Sequence, residues 1–396
     1  MNKEAQINKL LTRGVEEIFI KEHLEKELLG DKILRIKHGI DPTGPKIHLG
    51  RASVLRKLKE FQDLGHQIVL IIGDFTARIG DPSDKLEKRP QLSVEQIKEN
   101  AKNYIDQIGK IIDISKTEIH YNTEWLSKMD FIETAQLMDC FTVQQMSHRR
   151  NFKDRLDKGE DVFVSEFMYP ALQGYDSLMI NTDVEIGGFD QLFNLKAGRT
   201  VQRKFNKPEQ DIMTCTMLEG TDGRKMSTSW GNVVTIIDEP NDMFGKIMAV
   251  RDDLMIKYFT LCTDVSTQEI KEIEESLALP QTNPRDIKIR LAKEIVTLYH
   301  NKQVADTAEQ SFALIFSEGG VPEDIKTVTV TPGTLLADVL IGEGLMVSKA
   351  AFRRLIDGNG MHNLADDSKI TDPYFKIEEE ITLRIGKKDF IKIVAK

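Results

Sequence analysis

Residues 41–50, Asp41-Pro42-Thr43-Gly44-Pro45-Lys46-Ile47-His48-Leu49-Gly50, set a carboxylate, a hydroxyl and an imidazole among turn-forming residues. If a helix opens just after His48, its unpaired N–H groups and positive end make an anion site, to which the imidazole adds a directional donor. Thr43 can give a hydroxyl to the same anion, and Asp41 can hold a ribose hydroxyl or an ammonium group. Gly50 lets another group come close to the backbone. Such a site suits the phosphates of ATP. Taken alone, the same pattern also describes a surface histidine at a helix start.

A second segment, Gly223-Arg224-Lys225-Met226-Ser227-Thr228-Ser229, is rich in hydroxyls and holds two cations. By itself it is an ordinary solvated loop. Paired with the first segment, it becomes a basic loop that can close over a triphosphate and neutralise the charge developing as pyrophosphate leaves. Between the two, Tyr169, Gln173 and Asp176 recur at spacings of four and three and so share one helical face. That face is either the polar side of an amphipathic helix or the wall of a pocket.

The elements that must position these groups can be read from periodicity. Residues 34–40 alternate like a half-buried strand, and Pro42, Gly44 and Pro45 break the loop that follows. Leu55, Leu58 and Phe61 fall on helical spacing before Gly65, and residues 67–73 read as a fully buried parallel strand. Strand, loop, helix and strand in this order form one half of a doubly wound nucleotide-binding fold. Residues 183–188 make a short strand of the other half, with a helix beginning near Asp190, and a long helical insertion at roughly 115–180 lies between the halves. Past Gly231 amphipathic helices run to about Phe316, including 287–299 after the breaker Asn283-Pro284. A loop at Gly319-Gly320-Val321-Pro322 and a Thr-rich run to Pro332 link to a last module. It reads as helices at 335–341 and 348–356, a turn at 358–360, and a hairpin of 381–385 with 389–394. The expected fold class is α/β: a Rossmann-like doubly wound parallel-sheet domain over 1–232, an α-helical domain over 233–325 and a small α+β module over 331–396.

A formal net charge of -9 argues against indiscriminate coating of nucleic acid, which rests on phosphate neutralisation. From Thr331 to Lys396 ten Lys or Arg stand against ten Asp or Glu, so the acidic excess lies elsewhere and a local basic face is possible there. Cys140, Cys215 and Cys262 are odd in number and widely spaced, which offers neither a disulfide framework nor a Cys-x-x-Cys metal site. They are expected to be reduced packing residues. The strongest apolar run, 68–72, is far shorter than a membrane span, and the polar start lacks a signal-peptide core, so the expected location is cytoplasmic.

His48-Leu49-Gly50 resembles the His-Ile-Gly-His motif of class I aminoacyl-tRNA synthetases, with Arg51 in place of the second histidine. Lys225-Met226-Ser227-Thr228-Ser229 resembles their Lys-Met-Ser-Lys-Ser motif, with Thr228 in place of the second lysine. Residues 169–176 resemble the substrate helix of the tyrosyl-tRNA synthetase family, and the likeness runs over essentially the whole chain. The resemblance implies that Asp176 accepts a hydrogen bond from the substrate phenol, that Tyr169, Gln173 and Asp81 hold its ammonium group, and that Gln191 takes its carboxylate. Gly39 belongs to the same pocket. One branch of the family places a tyrosine against the phenol where this chain has Lys37, so the second phenol contact is left unassigned. Gly187-Gly188-Phe189-Asp190-Gln191 resembles the family's Gly-Gly-Ser/Thr-Asp-Gln, which implies a ribose contact for Asp190 and close approach of adenosine at Gly188. The resemblance also assigns Met217, Leu218, Lys85, Arg89, Ser227 and Thr228 to ATP, and Thr43, His48, Arg51 and Lys225 to catalysis.

The last module resembles an S4-type RNA-binding domain, which implies tRNA contacts by Lys349, Arg353, Arg354, Lys387 and Lys388. Implied substrates are ATP with its Mg²⁺, L-tyrosine and tRNA(Tyr), with no fixed protein-bound metal and no membrane. Family members of this type are homodimers, and the 115–180 insertion would supply the interface. The nearest alternative is the tryptophanyl branch, which shares fold and chemistry, followed by a synthetase paralogue that binds RNA but is poor in activity.

Overall fold

The computed structural model describes residues 2–82, 92–227, 230–317, 325–365, 368–386 and 389–396. The chain divides into two compact units, residues 1–305 and 306–396.

The first unit is built on a six-stranded sheet of β1 (Val15–Phe19), β2 (Arg35–Ile40), β3 (Gln67–Ile72), β4 (Thr117–Tyr121), β5 (Val184–Gly188) and β6 (Asp211–Cys215). The order is β1-β6-β5-β2-β3-β4, and only the β1–β6 pair is antiparallel. From β2 the chain winds outward through β3 to β4, then returns to β5 on the other side of β2 and winds outward to β6. Neighbouring connections therefore leave β2 and β5 in opposite directions, which opens a crevice beyond their carboxyl ends. This is the doubly wound sheet expected from the strand-loop-helix pattern.

Residues 68–72 of β3 are each at most 1% exposed, as a strand covered on both faces requires. The Leu49–Asp63 helix turns Leu55, Leu58 and Phe61 inward, and Gly65, with φ 90°, supplies the left-handed turn after its end. The expected insertion is not wholly helical, since it opens with β4. Every residue of β4 is half-buried at the sheet edge, so no apolar alternation announces it. Patterning is equally silent on β6, where buried Asp211 pairs with His23 at 2.8 Å and Thr214 accepts from the Glu17 N–H at 3.0 Å.

The Val164–Met179 helix lies so close to the Leu192–Lys204 helix that a Cβ at Gly174 would fall 2.9 Å from the Ala197 carbonyl oxygen. That crossing fixes the face carrying Tyr169, Gln173 and Asp176. Later helices in the same unit include Pro240–Met248, Met255–Cys262 and Pro284–Tyr299, the last capped by Asn283 with proline at its first position as the breaker implied. Arg13 ties this region to the N-terminus by donating to the carbonyls of Phe259, Thr260, Thr263 and Val265. Cys215 and Cys262 are buried free thiols and Cys140 is a half-buried one.

The second unit carries a four-stranded sheet, β7 (Lys326–Val330), β12 (Asp389–Ala395), β11 (Ile381–Ile385) and β9 (Met361–Asn363), in that order. A two-residue pair, β8 (Thr334–Leu335) and β10 (Lys376–Ile377), lies beside it in sequence. Leu340, Phe352, Ile356, Leu383, Ile391 and Ile393 form the core between this sheet and the helices Leu336–Gly342 and Lys349–Asp357. The helices and hairpin fall where periodicity placed them. The Thr-rich run does not act as a linker throughout, because residues 326–330 pair with β12 along their length. Among the described residues no helix is long and apolar enough to cross a membrane.

Candidate active site

A cavity of about 1020 Å³ opens at the carboxyl ends of β2 and β5. Every residue assigned above to ATP or to the amino acid lines it, wherever that residue lies within the described chain. Lys85, Arg89 and Thr228 lie outside the described residues, as do Lys387 and Lys388 of the second unit.

Around the two motifs, His48 is the residue before the Leu49–Asp63 helix, with extended backbone (φ -92°, ψ 164°). Its segment is laced to the chain that follows the basic loop: the Leu49 N–H donates to Val234 O at 2.9 Å and the Ile236 N–H to Ile47 O at 3.0 Å. The two motifs meet at Gly50, where a Cβ would stand 3.1 Å from His48 Nδ1 and 3.5 Å from Met226 Sδ. Arg51 donates to Tyr104 Oη and, at 3.3 Å, to Thr43 Oγ1, so it braces the loop as well as lining the cavity. Lys225 Nζ is 3.1 Å from Asp190 Oδ2, and a Cβ at Gly188 would meet Asp190 Oδ1 at 2.7 Å. Met217 and Leu218 line the wall just past β6. Arg224, by contrast, folds onto Asp222 (2.7 Å from Nε) and over the Trp230 ring (4.8 Å).

The base of the basic loop is a knot around buried Asn232. Its Nδ2 donates to Asp222 Oδ1 at 2.8 Å and Lys225 O at 3.1 Å, and its Oδ1 accepts from the Ser227 N–H at 2.8 Å. The Asn232 amide, with Arg224 behind it, holds the Asp222 pKa down at about 2.

Around the Tyr169-Gln173-Asp176 face, Gly39 lines the cavity with nothing within 4 Å of where a Cβ would stand. Asp176 is 3% exposed; its Oδ1 accepts from Trp125 Nε1 at 2.8 Å and its Oδ2 from Asn122 Nδ2 at 3.3 Å. Burial pushes its pKa up to about 6, against the pull of Lys37 and of those hydrogen bonds. Asn122 also donates to Thr76 Oγ1 at 3.0 Å, Thr76 donates to Asp41 Oδ1 at 2.8 Å, and Tyr169 Oη donates to Asp41 Oδ2 at 2.9 Å. One hydrogen-bonded chain thus runs from Asp176 to the loop of the first motif. Burial raises Asp41 to about 7 despite its two donors, and it raises the Tyr169 phenol well above its ordinary value. Gln191 Nε2 donates to Asp81 Oδ2 at 2.7 Å.

Lys37 is fully buried, and its ammonium group donates to Gln173 O at 2.8 Å and Ser177 Oγ at 2.7 Å and pairs with Glu185 Oε1 at 2.9 Å. All three of its N–H donors are used, so it is a strut under the Val164–Met179 helix. Glu185, its neighbour across β2 and β5, also accepts from Gln173 Nε2 at 3.0 Å and from Ser177 Oγ at 3.2 Å. Glu185, Asn122 and Thr76 escaped the reading of the sequence; a lone carboxylate inside an apolar strand was the only signal available. Among the described residues no group of three or more His, Cys, Asp or Glu side chains could hold a metal ion.

Comparison with known proteins gives a consistent picture. The model of tRNA synthetases class I (W and Y) matches residues 31–317. The tyrosine–tRNA ligase of Thermotoga maritima is 42% identical over 396 residues, 99% of this chain and 98% of the relative. That of Carboxydothermus hydrogenoformans is 44% identical over 400 residues, 97% of each chain. Among solved structures, the tyrosyl-tRNA synthetase of Archaeoglobus fulgidus complexed with L-tyrosine shares the fold at 22% identity. Its TM-score is 0.63, covering 77% of this chain and 99% of that one.

Proposed function

This chain belongs to the class I tRNA synthetases of the tryptophan and tyrosine kind, in the tyrosine–tRNA ligase branch, and from that premise we propose how its own residues carry the reaction. It is an aminoacyl-tRNA ligase with ATP as a substrate. L-Tyrosine reacts with ATP to give tyrosyl-adenylate and pyrophosphate, and the tyrosyl group then passes to the 3′ end of tRNA(Tyr). The observation that carries this reading is that one cavity is lined by Tyr169, Gln173 and Asp176 together with His48 and Lys225.

No protein nucleophile is needed. The tyrosine carboxylate attacks the α-phosphorus in line, and catalysis consists of positioning plus stabilisation of developing phosphate charge. Asp176 accepts from the phenol, Tyr169, Gln173 and Asp81 hold the ammonium group, and Gln191 takes the carboxylate. Asp190 holds the ribose, while Met217, Leu218, Gly188 and Gly50 let the adenosine approach. Thr43, His48 and Lys225 meet the phosphates, with Ser227, Thr228, Lys85 and Arg89 as further phosphate contacts. Arg51 acts by bracing Thr43. Phenylalanine is disfavoured because it brings no hydroxyl to donate to the buried Asp176 carboxylate, whose remaining acceptor sites then stay unused.

Mg²⁺ enters as part of the nucleotide substrate. In this reading Mg²⁺ keeps the nucleotide's oxygens and water as its ligands, while Asp41, Asp81 and Asp190 face Tyr169, Gln191 and Lys225. The division into domains 1–232, 233–325 and 331–396 is part of this reading, with the last domain contacting tRNA through Lys349, Arg353, Arg354, Lys387 and Lys388. So is a cytoplasmic location, where ATP and tRNA are met. Phe131, Ile132, Val143 and Val164 are 63–87% exposed on the helices after β4, which supports a homodimer joined through this region. Sedimentation of Phe131→Asp should then give a monomer.

Amino-acid-dependent exchange of pyrophosphate into ATP tests the activity directly. Exchange with tyrosine is expected. Exchange with tryptophan alone would move the chain to the other branch, and no exchange with any amino acid would leave the paralogue that binds RNA without activating its substrate.

A further inference from the structure

Arg149 has no part in the chemistry above, yet it is a buried cation beside the substrate pocket. It stands between the short helices Val143–Ser147 and Arg150–Asp157, and its side chain is 6% exposed. The guanidinium lies over the rings of Phe152 at 5.5 Å and Phe193 at 5.1 Å. Neither Nη1 nor Nη2 has a hydrogen-bond partner among the described residues. A buried guanidinium without partners is unfavourable enough that its retention calls for a charge to face. That charge is Asp81, whose Oδ1 lies 3.9 Å from Arg149 Nη2. Asn194 Nδ2 reaches the same oxygen at 3.4 Å, and the other oxygen, Oδ2, is held by Gln191 Nε2 at 2.7 Å.

We infer that Arg149 is a positioning residue for the ammonium subsite, acting through Asp81; this rests on the reading that Asp81 holds the substrate ammonium group. An ammonium group arriving at Asp81 needs Oδ2, the oxygen that Gln191 occupies. As the ammonium group displaces Gln191 from Oδ2, Asp81 loses the 2.7 Å hydrogen bond it had there. Arg149, a short movement outside hydrogen-bonding range of Oδ1, takes that bond's place and keeps the carboxylate aimed at the ammonium. The two aromatic rings hold the guanidinium plane in place for this exchange, which a lysine could follow only as a point charge.

The test uses the full chain, with Arg149→Met to keep the packing and Arg149→Lys to keep the charge. Binding is measured by calorimetry for L-tyrosine, for tyramine, which keeps the ammonium and lacks the carboxylate, and for 3-(4-hydroxyphenyl)propanoate, which lacks the ammonium. Arg149→Met should weaken tyrosine and tyramine by about tenfold or more and leave the desamino acid within about twofold. Arg149→Lys should recover part of the loss, and in pyrophosphate exchange the change should fall on KM for tyrosine more than on kcat. Equal weakening of all three ligands would make Arg149 a packing residue and overturn the inference, as would unchanged tyrosine binding. Should Arg149→Met fail to fold, the same contrast between tyramine and the desamino acid decides the matter in Arg149→Lys. Asp81→Asn separates the premise from the inference: if tyramine binds it normally, the ammonium assignment itself fails, whereas loss there without loss in Arg149→Met sinks the inference alone.

Discussion

Asp176 already accepts from Trp125 and Asn122 before any phenol reaches it, and burial holds its pKa at about 6. Below that pH it carries a proton and no longer serves the phenol as a charged acceptor. The kcat/KM for tyrosine should therefore fall as pH drops through about 6, approaching tenfold per unit, in a pyrophosphate-exchange profile. Stability moves the other way. Between the ordinary carboxyl pKa and about 6 the native state keeps a proton that the unfolded chain has released, so this group lowers stability as pH rises through that window. Asp176→Asn should lose both dependences, together with the preference for tyrosine over phenylalanine. Lys37 and Glu185 illustrate a different kind of residue. Lys37→Met leaves Glu185 buried and unpaired and should lower the unfolding free energy by roughly 3–5 kcal/mol. Lys37→Met with Glu185→Gln should recover part of it, since the amide oxygen can still accept from Ser177 Oγ and from Gln210 Nε2, both of which donate to Glu185 in the parent. Urea unfolding midpoints of the three chains check the pair.

The basic loop works as an element because its ends are tied. Asn232 joins Asp222, Lys225 and Ser227 through one side chain, and the segment just beyond it is bonded to the first motif through Leu49 and Ile236. Asn232→Ala removes the knot and leaves the amino-acid wall intact. Its exchange rate should fall by roughly 10–100-fold with KM for tyrosine close to unchanged, because misplacing Lys225 affects the reacting phosphates more than the bound tyrosine. Both loops were legible from residue types, since glycines, hydroxyls and cations at fixed spacing describe them whatever surrounds them. The Tyr169-Gln173-Asp176 face was legible from helical period. The strands β1, β4, β6 and β7 were not, because each is either an edge strand with weak alternation or a buried strand whose polar residues are satisfied by distant partners.

At the scale of the whole molecule, the cavity lies in the first unit and the basic helix in the second. In the second unit Arg353 packs over Tyr374 at 5.7 Å and donates to its hydroxyl at 3.1 Å, Arg354 is exposed, and Lys349 pairs with Asp338 at 2.7 Å. Replacing Arg353 and Arg354 with alanine should raise KM for tRNA in the charging assay and flatten its salt dependence, while pyrophosphate exchange without tRNA stays at the parent rate. Lys349, already neutralised by Asp338, should contribute least of the three.

From sequence alone came the doubly wound half-fold, the two loop motifs that line the cavity, the polar helical face and the helices and hairpin of the last module. These are local: turn formers, caps and periods of 2 and 3.6 act over a few residues, and the backbone obeys them wherever the segment sits. Tertiary structure alone decided that Lys37 is a strut, that Asn122 and Thr76 join Asp176 to Asp41, and that Arg149 stands behind Asp81. A buried polar group must be matched, and which group matches it depends on which strands become neighbours. Lys37 meets Glu185 only because β5 returns to the side of β2 that β3 leaves open.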